Sequence, residues 1–338
     1  MDNLIKKIFF SPKDEQYVRD LWLSPHIKKM YDHFDDISKG LKQSPGKPVL
    51  GNPDYLSHDK SLKPYHDLLK RNMMTFAQHT CTSIPFILEK RCRMGLTLCR
   101  YANIKKNTKN HFTFYEIGSP DGAEARTMAE FSNGNIRTLT DAPVRINEKA
   151  FYQSLRHDYS KFHLGPYVDT TPELLESNPD LIIFKDGFDV IHTGMMFQFV
   201  SSDREKQIGY VFRLLKADGL MIFTEKLNQK NSDEYYRREH IKDHLFKSEY
   251  YTDEEIQYKK TSILNDMSKG QIDQETLLEA MKVYFNYIFI TWNSTNFYEF
   301  VASNSETSIR LYISQLIKPF VPEPFCCEKN IPGQIWPS

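Results

Sequence analysis

The chain reads as an α/β protein built on a mostly parallel sheet, with a helical region preceding the sheet in the chain. Three observations predict this. From residue 112 onward, short apolar runs alternate with helical patterns, which is the order of strands covered on both faces by helices. The first of these runs leads through a glycine turn, Gly118 to Gly122, into a helix. The last two runs, 287–292 and 297–302, are separated only by Asn293, Ser294, Thr295 and Asn296, so they should pair as an antiparallel hairpin.

In chain order, residues 15–37 carry Val18, Leu21, Leu23, Ile27 and Met30 at three- and four-residue steps, predicting one or two short helices. Residues 40–64 hold Pro45, Pro48, Pro53, Pro64, Gly46 and Gly51, the chemistry of a surface loop. A second helical stretch covers 68–101 and ends in a polar run, 105–110, that reads as a linker. Strands are expected at 112–117, 136–139, either 181–184 or 190–193, and 220–224, with a helix at 123–131. The resulting organisation is an N-terminal helical extension and loop (1–66), a helical lid (67–110), a ligand-binding α/β domain (111–304) with a helical insertion at 228–268, and a C-terminal extension (305–338).

Composition narrows the partners. Of 338 residues, 40% are hydrophobic, enough for a sizeable core. Lys plus Arg and Asp plus Glu both total 44, so no overall field draws the chain onto nucleic acid or an anionic membrane. Apolar stretches such as 220–224 fall far short of the roughly 20 residues that span a bilayer. The N-terminus has no long apolar segment of the secretory kind, and the five cysteines lack metal-ligand spacing, so a reducing cytoplasm is expected. Adjacent Cys326 and Cys327 would suit a thiophilic metal, but in a proline-rich tail they are read as incidental. That tail, with Pro319, Pro322, Pro324, Pro332 and Pro337, should pack on the surface or against a second copy in a homodimer.

The chemistry concentrates in residues 116–122, Glu-Ile-Gly-Ser-Pro-Asp-Gly. An acid at a strand end and two glycines four apart at a helix mouth mark the first strand-to-helix turn, where a doubly wound sheet binds nucleotide-like ligands. Gly118 permits a sharp turn, and Gly122 permits close backbone approach. Asp141, at the end of the next strand, can accept hydrogen bonds from ribose hydroxyls; a helix cap is its ordinary alternative, and the two roles can coexist. The turn lacks the Gly-x-Gly-x-x-Gly that seats a pyrophosphate, and Glu116 would repel phosphate. A ligand carrying an amino group suits that acid, which points toward S-adenosyl-L-methionine.

These residues, with the strand Phe188-Asp189-Val190-Ile191-His192 and the segment Leu214 through Ile222, resemble the class I methyltransferase series in its usual order. Within that superfamily, residues 198–204, 223–227, 250–260 and 292–302 are similar to carboxy-S-adenosyl-L-methionine synthase and its methyltransferase relatives. The resemblance covers about residues 68–304. It implies a Rossmann-like fold with a seven-stranded, mostly parallel sheet closed by an antiparallel hairpin, preceded by helices. It also implies that Glu116, Gly118, Ser119 and Gly122 line the methionine part of the cofactor, Asp141 the ribose, Asp169 and Thr170 the adenine edge, and His192 the sulfonium. Phe76 stands where the synthase has a tyrosine, and His192 where it has an asparagine. In Glu255-Ile256-Gln257-Tyr258-Lys259-Lys260 the synthase's carboxylate-holding arginine is replaced by Lys260, which offers a point charge without the bidentate fork.

Plain methyl transfer to a small molecule, aromatic or carboxylated, is therefore the expected activity. A carboxy-S-adenosylmethionine synthase-like enzyme and a non-catalytic cofactor-binding protein are the alternatives. Displacement at a sulfonium needs alignment and exclusion of water and no metal. His192, Tyr258 and Glu225 are the candidate bases, and Arg237, Arg238, Tyr258 and Lys260 the candidate acceptor contacts.

Overall fold

The computed structural model describes residues 10–42, 44–105 and 111–337. Apart from Lys105, the expected linker at 105–110 lies outside them. Six helices come first: α1 (Pro12–Leu21), α2 (Pro25–Ser38), α3 (Pro53–Leu56), α4 (Leu62–Asn72), α5 (Thr75–Ser83) and α6 (Ile87–Lys105). Local chemistry sets several of their starts. Ser11 and Ser24 accept from the backbone N–H of Asp14 and Ile27, with proline as the first helical residue of α1 and α2. The surface loop expected at 40–64 differs: Asn52 caps α3, and Val49, Tyr55, Leu56 and Leu62 are buried. Proline there begins helices as well as breaking them.

The α/β part is made of β1 (Phe112–Ile117), α7 (Ala123–Phe131), β2 (Ile136–Ala142), α8 (Arg145–Ser154), β3 (Ser160–Leu164), α9 (Pro172–Ser177), β4 (Phe188–Gly194), α10 (Met196–Val200), α11 (Arg204–Phe212) and β5 (Leu215–Lys226). Next come α12 (Ser232–Leu245), α13 (Asp253–Lys259), a π-helical turn (Lys260–Leu264), α14 (Asn265–Ser268), α15 (Gln274–Lys282), β6 (Tyr287–Ser294), β7 (Phe297–Ser303), α16 (Glu306–Ser314) and β8 (Gly333–Trp336).

The sheet runs β3-β2-β1-β4-β5-β7-β6-β8. β1 to β5 are parallel, while β7 lies antiparallel between β5 and β6. The chain thus has the expected Rossmann-like α/β fold with its antiparallel hairpin, corrected from seven strands to eight among the described residues. The tail returns as β8 on the free edge of β6. Of the two alternatives for the fourth strand, 190–193 lies in β4, whereas Ile182–Phe184 is a 3₁₀ turn with Ile182 and Ile183 exposed.

Side chains alternate across the sheet as the pleat requires. Phe114, Val190, Leu220 and Ile222 point to a layer containing α4 to α7 and α16. Tyr115, Ile191, Met221 and Phe223 point to the opposite layer, which includes α1, α11 and α15. Strand order reverses between β1 and β4, so the carboxyl ends of these strands open a crevice at the switch point.

Candidate functional site

A deep cleft occupies that crevice. Its floor is Glu116 to Pro120, Asp141, His192, Thr224 and Lys226; its walls come from α2, α5, the start of α6, and the insertion after β5. Gly118, at φ +62°, ends β1, and a Cβ there would sit 2.5 Å from Sδ of Met196, so the turn admits no side chain. Its N–H donates to Asp141, whose other oxygen accepts from the Tyr115 hydroxyl. Burial pushes the Asp141 carboxyl up to about 7, against the pull of those two hydrogen bonds. Gly122, at φ +56°, faces Phe151 and Thr140 and not the cleft, so packing requires this glycine. Asp121 accepts from the backbone N–H of Met74 and Ala77, tying α5 to the turn.

Glu116, Glu124 and His192 form a buried triangle: one ligating atom of each lies within 4.8 Å of the others. Two carboxylates and an imidazole at that spacing have the chemistry to hold a cation. Glu116 accepts from Ala125 N–H at 3.1 Å. Burial, reinforced by the Glu124 charge, raises its carboxyl to about 8, with Arg91 opposing. Glu124 pairs with Arg91 at 2.8 Å, while its Oε2 has no hydrogen-bond partner among the described residues. His192 Nε2 lies 3.1 Å from Thr224 Oγ1 and 3.4 Å from Lys90 Nζ, and its Nδ1 is buried without a partner among the described residues. Burial, then the Lys90 and Arg91 charges, hold the imidazole far below its usual titration range, so it is neutral. Lys90 itself pairs with Glu299 at 2.6 Å.

The structure brings Glu116, Gly118, Ser119, Asp141, His192 and Phe76 to the cleft and leaves other expected site residues outside it. Asp169 reaches Arg19 at 3.5 Å on the surface, and Thr170 is buried behind the lining. Where the adenine edge was expected, the wall is Pro143, Val144, Pro166, Tyr167 and Tyr31. Glu225 is fully buried and gripped by Arg204 at 3.2 Å through both oxygens. Arg237 is exposed on Glu234, and Arg238 is spent on Glu234, the Thr295 carbonyl and the Tyr298 hydroxyl. Tyr258 and Lys260 are exposed, and Lys259 enters the cleft instead, 2.8 Å from His79 Nε2 and 2.9 Å from Ser83 Oγ.

Sequence reasoning missed Lys90, Arg91, Glu124, Lys226, Lys242, Lys247 and Lys259. One signal was present for Lys226: it lies two residues beyond Thr224 and so on the same face of β5. The others sit on helices whose charge gives no hint of which face is inward.

No protein-family model matches the sequence, and no curated protein matches it. Among solved structures, the chain is similar to the plantazolicin methyltransferase BpumL in complex with SAH, at 11% identity over 87% of this chain and 100% of that one, TM-score 0.44. It is similar to the CurJ carbon methyltransferase at 12% identity, covering 87% and 84%, TM-score 0.40. An O-methyltransferase from Bacillus cereus in complex with SAH gives 12% identity, 74% and 94%, TM-score 0.40. Likenesses this weak assign no substrate and no residue role to the chain, whose own side chains must supply both.

Proposed function

We propose that the chain binds S-adenosyl-L-methionine in this cleft and transfers its methyl group to a small-molecule acceptor by direct in-line displacement. The observation that carries this is the acid pair Glu116 and Glu124, buried between the end of β1 and the first turn of α7, with Glu124 Oε2 lacking a partner among the described residues. A buried acceptor left open favours a donor from the ligand, and the cofactor's ammonium group supplies one. Ser119 and the Gly118 turn would flank the amino-acid portion, Asp141 the ribose, and the apolar slot at Pro143, Val144 and Tyr167 the base. When bound, S-adenosyl-L-methionine supplies an electrophilic methyl group on a sulfur that departs as a neutral thioether.

His192 is assigned to orient the reacting end. The Lys90 ammonium facing Nε2 favours that nitrogen as acceptor, which leaves Nδ1–H as a donor and suits His192 poorly to take a proton from the acceptor. Plain methyl transfer is favoured over use of a carboxylated cofactor, because Arg91 is the only arginine lining the cleft among the described residues and it is tied to Glu124.

Calorimetric titration of the purified chain with S-adenosyl-L-methionine and S-adenosylhomocysteine, beside mass spectrometry of co-purified small molecules, tests this. Binding that Glu116→Gln weakens by about 10- to 100-fold, the scale of a charged hydrogen bond, is expected. No heat with either ligand and none carried through purification would sink the proposal.

A further inference from the structure

One wall of the cleft holds more lysines than its own acids can neutralise. Lys226 of β5, Lys242 of α12, Lys247 just after α12 and Lys259 at the end of α13 all line it. The first three are 3%, 3% and 2% exposed, so water does not solvate their charge. Two carboxylates serve the group. Glu239 accepts from Lys226 at 2.8 Å and Lys242 at 2.6 Å. Asp243 lies 3.2 Å from Lys242 and 3.4 Å from Lys247. Lys259 touches the His79 imidazole and the Ser83 hydroxyl and has no ion-pair partner among the described residues.

Were all four lysines protonated, the two carboxylates would leave an excess of two positive charges in this wall. Burying an uncompensated charge is strongly unfavourable. The strain registers in the lysines: burial, with Lys242 adding repulsion, pushes Lys247 down to about 8, and burial and then Lys247 and Lys242 hold Lys259 well below the usual range. An anion from outside the chain would relieve both.

We propose that this wall seats an anionic group, a carboxylate or a phosphate, carried by the methyl acceptor, with Lys247 and Lys259 as its main contacts. Its place in the cleft fits an acceptor. Lys226 is one side-chain step, roughly 7 Å, along β5 from Thr224, the partner of His192. Phe297 lies beneath Lys226, and Phe34 and Phe76 line the same cleft, offering faces to an aromatic body. The assignment of the anion's bearer as acceptor rests on the methyl-transfer proposal; the anion site itself does not.

The full chain saturated with S-adenosylhomocysteine is titrated calorimetrically with benzoate, phenyl phosphate and neutral benzamide. Benzoate or phenyl phosphate should bind at least tenfold more tightly than benzamide. Lys259→Gln should lose tenfold or more of that affinity, while Lys260→Gln, outside the cleft, and the S-adenosylhomocysteine affinity stay unchanged. At pH 8, titrations in two buffers of different ionisation enthalpy should show proton uptake as the anion restores charge to the wall. The groups facing that wall are Glu239 and Asp243, His79 and Tyr251, His33, and Tyr235 beside Lys226. Benzamide binding as well as the anions, no anion binding, or an unaffected Lys259→Gln overturns the proposal. Absence of S-adenosylhomocysteine binding would instead strike the cofactor assignment, and the anions titrated onto the cofactor-free chain would still decide the lysine wall.

Discussion

Glu116 turns a buried carboxyl into a measurable linkage. Its carboxyl sits at about 8 in the folded chain against an ordinary 4.5, so it favours the fold while protonated. That contribution is full below about pH 4.5 and fades as pH rises through 8. Binding an ammonium requires the ionised form, so cofactor affinity should rise between pH 6 and 8, by at most about tenfold per pH unit for each proton released. Calorimetric dissociation constants at pH 6, 7 and 8 measure it. Glu116→Gln should flatten the profile to the part that Asp141, titrating near 7, contributes. Asp141 needs a careful substitution: Asp141→Ala would strand the Gly118 N–H and the Tyr115 hydroxyl, at roughly 1–3 kcal/mol for each buried group. Asp141→Asn can still accept from the Gly118 N–H through Oδ1 while its amide donates to the Tyr115 oxygen, so a loss of cofactor affinity without a drop in melting temperature would mark a ribose contact. Equal losses in both would mark a purely structural residue.

Among the elements, β5 shows how one strand splits its duties by face. Thr224 and Lys226 look into the cleft, while Glu225 between them looks away and pairs with Arg204, both side chains fully buried. Glu225→Ala should therefore cost about 3–5 kcal/mol in chemical denaturation by leaving a buried guanidinium uncompensated. The fraction that stays folded should bind S-adenosylhomocysteine normally. Gly122→Ala should also destabilise, by about 1–3 kcal/mol, because a Cβ at φ +56° would meet Phe151 at 2.9 Å. The turn from Lys260 to Leu264 is π-helical. Lys259 and Lys260 stand three and four residues beyond buried Ile256, so helical spacing alone admits either as the inward one, and Lys259 enters the cleft while Lys260 meets solvent. Two strands also escaped sequence reasoning. β3, Ser-Lys-Phe-His-Leu, is partly exposed and too polar to stand out. β8, Gly-Gln-Ile-Trp, has no strand character apart from the β6 edge it covers.

At the scale of the whole molecule, β8 closes an edge that would otherwise present unpaired backbone groups to other chains. Trp336 anchors it, with the Lys282 ammonium 4.5 Å from its ring centre. Removing residues 333–338 should lower the melting temperature modestly and increase concentration-dependent self-association, read by sedimentation velocity. An unchanged sedimentation profile would show that the β6 edge is protected without β8. The helices before the sheet serve two purposes at once. α6 packs Met94, Leu98 and Tyr101 into the core against Phe114 and Val190, while Ile87, Lys90 and Arg91 at its start line the cleft. Sequence periodicity could predict the helix but not that its first turn would face the cleft.

The sequence alone determined the α/β class, the limits of β1 and α7, the hairpin and the acid-glycine turn. Each is written in neighbouring residues: a β-branched and aromatic run, a glycine turn leading into a helical pattern, four polar residues between two apolar runs. Tertiary structure decided which charged groups the cleft would enclose. Lys226, Lys242, Lys247 and Lys259 are spread over four segments, and Glu225, Arg238 and Lys260 look equally eligible in the sequence. A charge becomes part of a site only when long-range packing strips its water and either supplies a partner or withholds one, and no local pattern records that.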